Sequence, residues 1–370
     1  MKHKMLGVIN LIHEPDKLER LTQGRCLATV PFGARYRLID FVLSSMVNSG
    51  ISNVAVFAHT KYRSLMDHLG SGKHWDLQHR QGGLFVLPPA TDDIQDFNRG
   101  DLFHFYQHRD YFYRSAQEFV VITRSHMVCN IDFEKVIQHH LEREADITVV
   151  CKRQEDLLTG KARRVKLNED GRIVAIQDHF GRLESDINSM EMYVMRKELL
   201  MEIVETSLAQ GQDHLVRHAI LSRLDKLKVH GYMYEGYLGV VNTLASYYRN
   251  SMKLLNPQVW KELFFQPGPI FTKVKDEPPA RYLDGSRAVN SLIANGCRIE
   301  GTVINSILFR GVHIQKGAVV SNSIIMQNGI IGLNSIVQHS ILDKDVRVEG
   351  NRDIRGADSS PFLAGKRKII

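Results

Sequence analysis

Short apolar, β-branched runs recur through the first 250 residues, at 6–10, 54–57, 119–123 and 146–151, with the length and composition of buried strands. Between them, apolar positions return at helical spacing over 36–48, 62–69, 103–112 and 133–144. This alternation predicts an α/β domain with a mostly parallel sheet. Inside it, the strand patterns at 165–167 and 172–177, joined by Asn168-Glu169-Asp170-Gly171, predict a hairpin. Residues 82–89 read as an extended segment ended by Pro88 and Pro89.

The period then changes. Asn290-Ser291-Leu292-Ile293 is echoed at Asn305-Ser306, Asn322-Ser323 and His339-Ser340, at spacings of 15, 17 and 17 residues. Pairs such as Arg298-Ile299, His313-Ile314 and Arg347-Val348 keep step with them. Three short strands per repeat, with one small apolar residue of each turned inward and Gly or Asn at the corners, predict a left-handed parallel β-helix. The domain reading is 1–250 for the α/β part, 251–285 for a helix and linker marked by Pro278-Pro279, 286–350 for the β-helix, and 351–370 for a solvated tail.

At 370 residues, two domains are expected. The makeup, 43% hydrophobic and 24% charged, is that of a soluble globular protein. Neither a span of 18 apolar residues nor a signal-peptide pattern occurs, so a cytoplasmic protein without a membrane partner is expected. Cys26, Cys129, Cys151 and Cys297 lack ligand spacing and read as reduced thiols. The net charge of +7 is dispersed, which argues against a nucleic-acid partner, and Arg163 and Arg164 read as surface charge. His104, His108, His139 and His140 read as packing or solvated residues, and no metal site is expected.

One stretch is specific. Val30-Pro31-Phe32-Gly33-Ala34-Arg35-Tyr36-Arg37-Leu38-Ile39-Asp40-Phe41, continued by Leu43-Ser44-Ser45 and Val47-Asn48-Ser49-Gly50-Ile51, resembles the bacterial ADP-glucose pyrophosphorylase family. With the β-helix behind it, the resemblance covers nearly the whole chain and implies a nucleotidyltransferase-like, Rossmann-like domain. In that family glucose-1-phosphate attacks the α-phosphate of ATP, with Mg²⁺ on two aspartates and basic residues around the phosphates. Members carry a Gly-rich phosphate loop ahead of this stretch, where the chain has Ile12-His13-Glu14-Pro15-Asp16. Cradling a triphosphate needs backbone N–H groups on a chain free to take positive φ. Ile12 and His13 are bulky, Pro15 lacks the N–H, and Glu14 and Asp16 repel phosphate.

The other catalytic positions are degenerate in the same comparison. Thr123-Arg124-Ser125-His126 places Ser125 at the first metal aspartate, and Gly239-Val240-Val241-Asn242-Thr243 places Val240 at the second. His179 stands at the sugar-phosphate lysine, Leu27 at a further lysine, and Glu191 at a glycine beside the sugar. Ser189 and Tyr193 survive as candidates for a residual sugar site. Neither Ser nor Val offsets the dehydration of Mg²⁺, so no metal or other cofactor is expected in this chain, and Mg²⁺ only in a catalytic partner.

The combination, with Ser125-His126-Met127-Val128-Cys129-Asn130-Ile131-Asp132, resembles the D-type regulatory subunits of Gram-positive glycogen operons. It implies a hetero-oligomer, expected to be a heterotetramer, with a catalytic subunit. Arg25, Arg35 and Arg37 are candidates for binding phosphorylated effectors, or for a helix-start role beside Asp40. Two other readings stay open: a weakly active glucose-1-phosphate adenylyltransferase, and a hexapeptide acyltransferase for which His313 and His339 are the histidines in the coils.

Overall fold

The computed structural model describes residues 5–79, 82–90, 96, 98–153, 163–177 and 183–370. The chain divides into two compact units that interleave in sequence: Met1–Pro15, Phe41–Leu238 and Gln266–Phe271 form one, and Asp16–Asp40, Gly239–Phe265 and Thr272–Ile370 the other. The boundary expected at residue 250 therefore lies earlier, and the second unit also takes in the loop and hairpin of Asp16–Asp40.

The first unit is built on seven strands: β1 (Met5–Asn10), β2 (Asn53–Phe57), β3 (Gly83–Leu87), β4 (Phe119–Thr123), β5 (Ile147–Arg153), β6 (Ile187–Arg196) and β7 (Val229–Met233). Their order is β7-β5-β6-β4-β1-β2-β3. All run parallel to their neighbours except β6, which is antiparallel to both β4 and β5. Strands such as Phe119–Thr123, apolar up to the final threonine, are buried on both faces, as a helix-covered parallel sheet requires. Val8, Phe57, Val120, Val149, Met195, Leu200 and Val204 lie in its core.

The helix expected over 103–112 is two helices, Asp101–Gln107 and Arg109–Arg114. The break falls at His108, whose backbone leaves the helical region (φ −105°, ψ 23°) and whose Nε2 lies 2.8 Å from the Pro88 carbonyl. Phe105 and Phe112, one on each piece, both reach Phe57, at ring distances of 4.7 and 5.9 Å. The tight connection keeps both aromatic rings on the sheet. The expected hairpin is present as Val165–Leu167 paired with Ile173–Ile176.

In the second unit, three parallel sheets of five short strands each wind into the β-helix. Ile299, Val303, Leu308, Ile314, Val320, Ile325, Ile331 and Val337 fill it. The Asn-Ser repeat has a direct cause. Asn290, Asn305, Asn322 and His339 all take left-handed backbone, at φ 41, 44, 45 and 44°, a conformation Asn tolerates better than most side chains. The serine that follows accepts an N–H from the serine one coil on: Ser306 to Ser291, Ser323 to Ser306 and Ser340 to Ser323, each at 3.1 Å. Each corner thus hands its buried donor to the neighbouring coil.

The coil runs further than the repeat implied. Arg281–Tyr282 already pairs with Arg298–Ile299, and Asp353–Arg355 and Phe362–Ala364 add the last rungs. The segment read as a solvated tail is thus ladder strand, and Arg347 donates its N–H to the Lys368 carbonyl at 2.9 Å. Its register broke because residues 356–361 form an insertion between two rungs.

Candidate functional site

At one end of β1 and β4, in the first unit, the loop after β1 and the residues after β4 form an ionic network. Glu14 is the centre of one half. Its carboxylate accepts the Ser125 N–H at 2.6 Å and the Ser125 hydroxyl at 2.8 Å, with His126 Nδ1 3.6 Å away. Glu14 and Ser125 are both buried there, the glutamate side chain 5% exposed and the serine 1%. A backbone N–H and a hydroxyl aimed at two carboxylate oxygens is an oxyanion cradle, and the chain fills it with its own acid.

Arg124 is the centre of the other half. Its guanidinium donates to the carbonyls of Asn10 (3.2 Å) and Ile12, and lies 3.5 Å from Asp101 and 3.4 Å from Glu191. Asp101 is held in place by Asn10 Nδ2 at 2.9 Å and by the Leu215 N–H at 2.8 Å. Arg163 joins from the other side, 3.8 Å from Glu191 and 3.4 Å from the Tyr193 hydroxyl. Two arginines are thus set against Asp101 and Glu191, largely out of water.

Glu191 sits at a bend where β6 shifts register against β5, between Ser189 and Tyr193. Its φ is +52°, a conformation natural to glycine. A carboxylate has been placed there at a backbone cost and is used to hold two cations. Ser189 Oγ accepts the Glu191 N–H at 3.0 Å, and burial pushes the Tyr193 phenol upward. Of the two sugar-site candidates, Ser189 thus supports the Glu191 backbone and Tyr193 meets Arg163.

On the loop side, His13 takes φ +51°, so one left-handed residue persists without a glycine. Its ring lies 4.7 Å from His59, which in turn lies 5.8 Å from His104. Burial, then the charges of His59 and His13, push the His104 imidazole down to about 4. It is neutral at physiological pH. Ile12 is buried in the sheet core and Pro15 is exposed.

A divalent cation does not fit these residues. Ser125 Oγ is engaged in donating to Glu14, and Arg124 already neutralises the acids that could turn toward a metal. Val240, in the second unit, offers an aliphatic side chain, and its carbonyl accepts from Asn250 Nδ2 at 2.9 Å. Leu27, also there, is 3% exposed and packs as a core residue. His179 lies outside the described residues.

The second unit holds a separate concentration of charge. The Pro31–Phe32 and Tyr36–Arg37 strands form a hairpin, so Tyr36 and Arg37 are not part of the helix, which starts at Leu38. Its turn needs Gly33 at φ +59°, where a Cβ would come within 3.1 Å of the Phe264 ring. Arg35 and Arg37 leave this hairpin, and Asp40 accepts the Arg37 N–H at 3.0 Å. Arg25 is paired instead: its Nη2 reaches Asp343 Oδ1 at 2.7 Å, with the aspartate wholly buried. Lys275, Arg310 and Lys344 complete the group. Burial, then the charges of Arg37 and Arg25, push the Lys344 ammonium down to about 7. Burial followed by Arg310 and Arg37 lowers Lys275, and burial followed by Arg35 lowers Arg310.

Comparison with known proteins agrees with the two parts of the fold. The family described as Nucleotidyl transferase matches residues 15–255, and the one described as GlmU-like, C-terminal hexapeptide matches residues 278–361. "Glycogen biosynthesis protein GlgD" of Bacillus subtilis (strain 168) is 38% identical over 364 residues, covering 98% of this chain and 96% of that protein. Its namesake in Geobacillus stearothermophilus is 43% identical over 345 residues, covering 86% and 84%. The chain belongs to the GlgD branch of the nucleotidyl transferase family. A "Glucose-1-phosphate adenylyltransferase" of Bacillus cereus (strain Q1) is more distant, 29% identical over 358 residues and covering 96% and 95%.

Sequence reasoning singled out Ile12, His13, Pro15 and Ser125 but not the contacts made around them. Glu14 read only as repelling phosphate, and Arg163 as surface charge; its side chain is 10% exposed and faces Glu191. The available signal was a pair of opposite charges, a cation at 124 and an acid at 191. Lys275, Arg310 and Lys344 carried no motif. Of the two coil histidines, His313 Nε2 lies 2.7 Å from Glu300 and His339 Nδ1 lies 3.0 Å from the Tyr248 hydroxyl. Among the described residues, no helix is long and apolar enough to cross a membrane.

Proposed function

We propose that this chain is a non-catalytic regulatory subunit of glycogen biosynthesis. In this reading it assembles in the cytoplasm with a catalytic glucose-1-phosphate adenylyltransferase subunit and modulates ADP-glucose formation. Its relatives place it in glycogen biosynthesis by their names. The observation that carries the non-catalytic part is the Glu14 carboxylate seated on the Ser125 N–H and hydroxyl, with Arg124 locked between Asp101 and Glu191. An acid stands where phosphate oxygens need donors, and an arginine stands beside the position a metal aspartate would hold. Phosphoryl transfer depends on positioning and on charge stabilisation at those two places, and both are spent internally.

The partner supplies the Mg²⁺ chemistry in this reading, and the charged group around Arg35, Arg37, Lys275, Arg310 and Lys344 serves as the site for a phosphorylated effector. Arginine suits that ligand because its planar fork makes paired charge-assisted hydrogen bonds. The test is direct. The purified chain should form no ADP-glucose above background from ATP and glucose-1-phosphate with Mg²⁺. Mixed with the catalytic subunit of the same organism, it should elute as a larger species and change the kinetic constants. Turnover by the chain alone would return the weak-enzyme reading. Two chains that elute separately, with unchanged kinetics, would overturn the regulatory one.

A further inference from the structure

We propose that His218 is a pH-operated latch on the segment that carries Arg99, Gly100 and Asp101. Unprotonated, the ring pins that segment to the turn before Leu215, and a proton on its Nδ1 releases it in mild acid.

The ring is placed where a proton cannot be carried without loss. Its Nδ1 accepts two backbone N–H groups, those of Asp213 and His214, each at 3.1 Å. The chain fixes the direction of both donors, so Nδ1 must present its lone pair to them and the ring hydrogen lies on Nε2. His218 belongs to a π-helical turn, Leu215–Ile220, and its own N–H donates to the His214 carbonyl at 2.9 Å. Backbone and ring thus both close on the residues just before the turn. The turn in turn anchors the segment across from it. Asp213 Oδ2 accepts the Gly100 N–H at 2.9 Å and Arg99 Nε at 3.0 Å, and the Asp213 carbonyl accepts the Leu102 N–H at 3.0 Å. Asp101 Oδ1 accepts the Leu215 N–H at 2.8 Å. Beyond these contacts, the Arg99 carbonyl meets His13 Nε2 at 2.9 Å and Asp101 stands 3.5 Å from Arg124. Asp213 therefore joins His218 to the loop after β1 and to the Arg124 half of the ionic network.

Protonation reverses these roles. The side chain is 29% exposed, so solvent reaches the ring, and an Nδ1–H would face two N–H groups from which it can no longer accept. Beside it stands Asp213 Oδ1, 3.9 Å away. Turning toward that oxygen draws the carboxylate off the Gly100 N–H and Arg99. The charges around the ring are His214, Asp213 and Arg217 from its own segment and Asp101 from the facing helix, with Arg99 bound to Asp213. Burial, then His214, hold the imidazole below the ordinary histidine value; Arg217 adds to them, and Asp213 and Asp101 work against them. The released form therefore takes the proton first. The latch is fully closed above the ordinary value of about 6.5 and weakens as pH falls from there.

The experiment is amide hydrogen exchange of the full chain from pH 5.5 to 7.5, corrected for the intrinsic pH dependence of exchange, with the His218 ring followed by NMR. In the wild type, protection of the Gly100, Leu102, Asp213, His214 and Leu215 amides should fall below pH about 6.5, by up to about tenfold per pH unit. The fall should keep step with protonation of the ring. His218→Asn offers an oxygen close to the Nδ1 position and does not titrate, so its protection should stay level across the range. His218→Ala leaves both N–H groups without their acceptor and should show weak, equally level protection. His214→Gln should keep the wild-type pH dependence. Circular dichroism confirms that each variant is folded. A pH dependence that survives in His218→Asn or His218→Ala overturns the latch, and so does one that disappears in His214→Gln. Wild-type protection that stays level while the His218 ring titrates overturns it as well.

Discussion

Glu14, Ser125, Arg124 and Glu191 act as two interlocked pairs, and their substitutions should report that. Glu14→Ala leaves the buried Ser125 N–H and hydroxyl without their acceptor, which costs about 1–3 kcal/mol for a stranded polar group. Urea denaturation should show that loss, while ADP-glucose formation stays at background, because emptying the cradle restores neither metal ligands nor glycines. Glu191→Gly relieves a left-handed glutamate, a gain of roughly 1 kcal/mol. It also takes one carboxylate from Arg124, which keeps Asp101, and from Arg163, which keeps the Tyr193 hydroxyl, and breaking a buried pair from one side costs about 3–5 kcal/mol. A net loss is expected. Removing Arg124 as well should cost less than the sum of the single changes, with a coupling of about 0.5–3 kcal/mol in a double-mutant cycle. Strict additivity would show that the two residues do not share one network.

At the scale of elements, the serine corners separate local pattern from cooperative structure. Ser323 is wholly buried, accepts from the Ser340 N–H and donates to the Ser321 carbonyl at 2.7 Å. Ser323→Ala removes a donor and an acceptor from two coils at once, at a cost of about 1–3 kcal/mol. Ser291 begins the ladder at its half-buried end, where water can replace what is lost, so Ser291→Ala should cost well under half as much by the same denaturation measurement. Equal losses would mean that the ladder does not depend on burial. The helix split at His108 shows the limit of periodicity: apolar spacing continues through the break, and an anchor on the Pro88 carbonyl stops the helix.

For the molecule as a whole, the cationic group makes stability depend on pH. The Lys344 pKa is depressed from 10.5 to about 7, so between those values the unfolded chain carries a proton that the folded chain lacks. Stability therefore rises with pH across that window, and below pH 7 the Lys344 contribution is flat. Lys344→Met should flatten the rise between pH 7 and 10 and make the chain more stable at pH 7, read from chemical denaturation at each pH. A variant with the wild-type slope would place the charge elsewhere.

The sequence by itself determined the parts of this protein that rest on neighbours in the chain. Strand runs, coil corners and the missing glycines are local, because a strand's burial, an Asn in left-handed backbone or a phosphate loop's N–H groups depend on a few consecutive residues. Tertiary structure decided the rest. Arg25 meets Asp343 across 318 residues, Glu14 meets Ser125 across 111, and Arg163 leaves the surface to face Glu191. A charge buried on folding takes its partner from whatever the closed chain places within a few ångströms, and no spacing along the sequence encodes that choice.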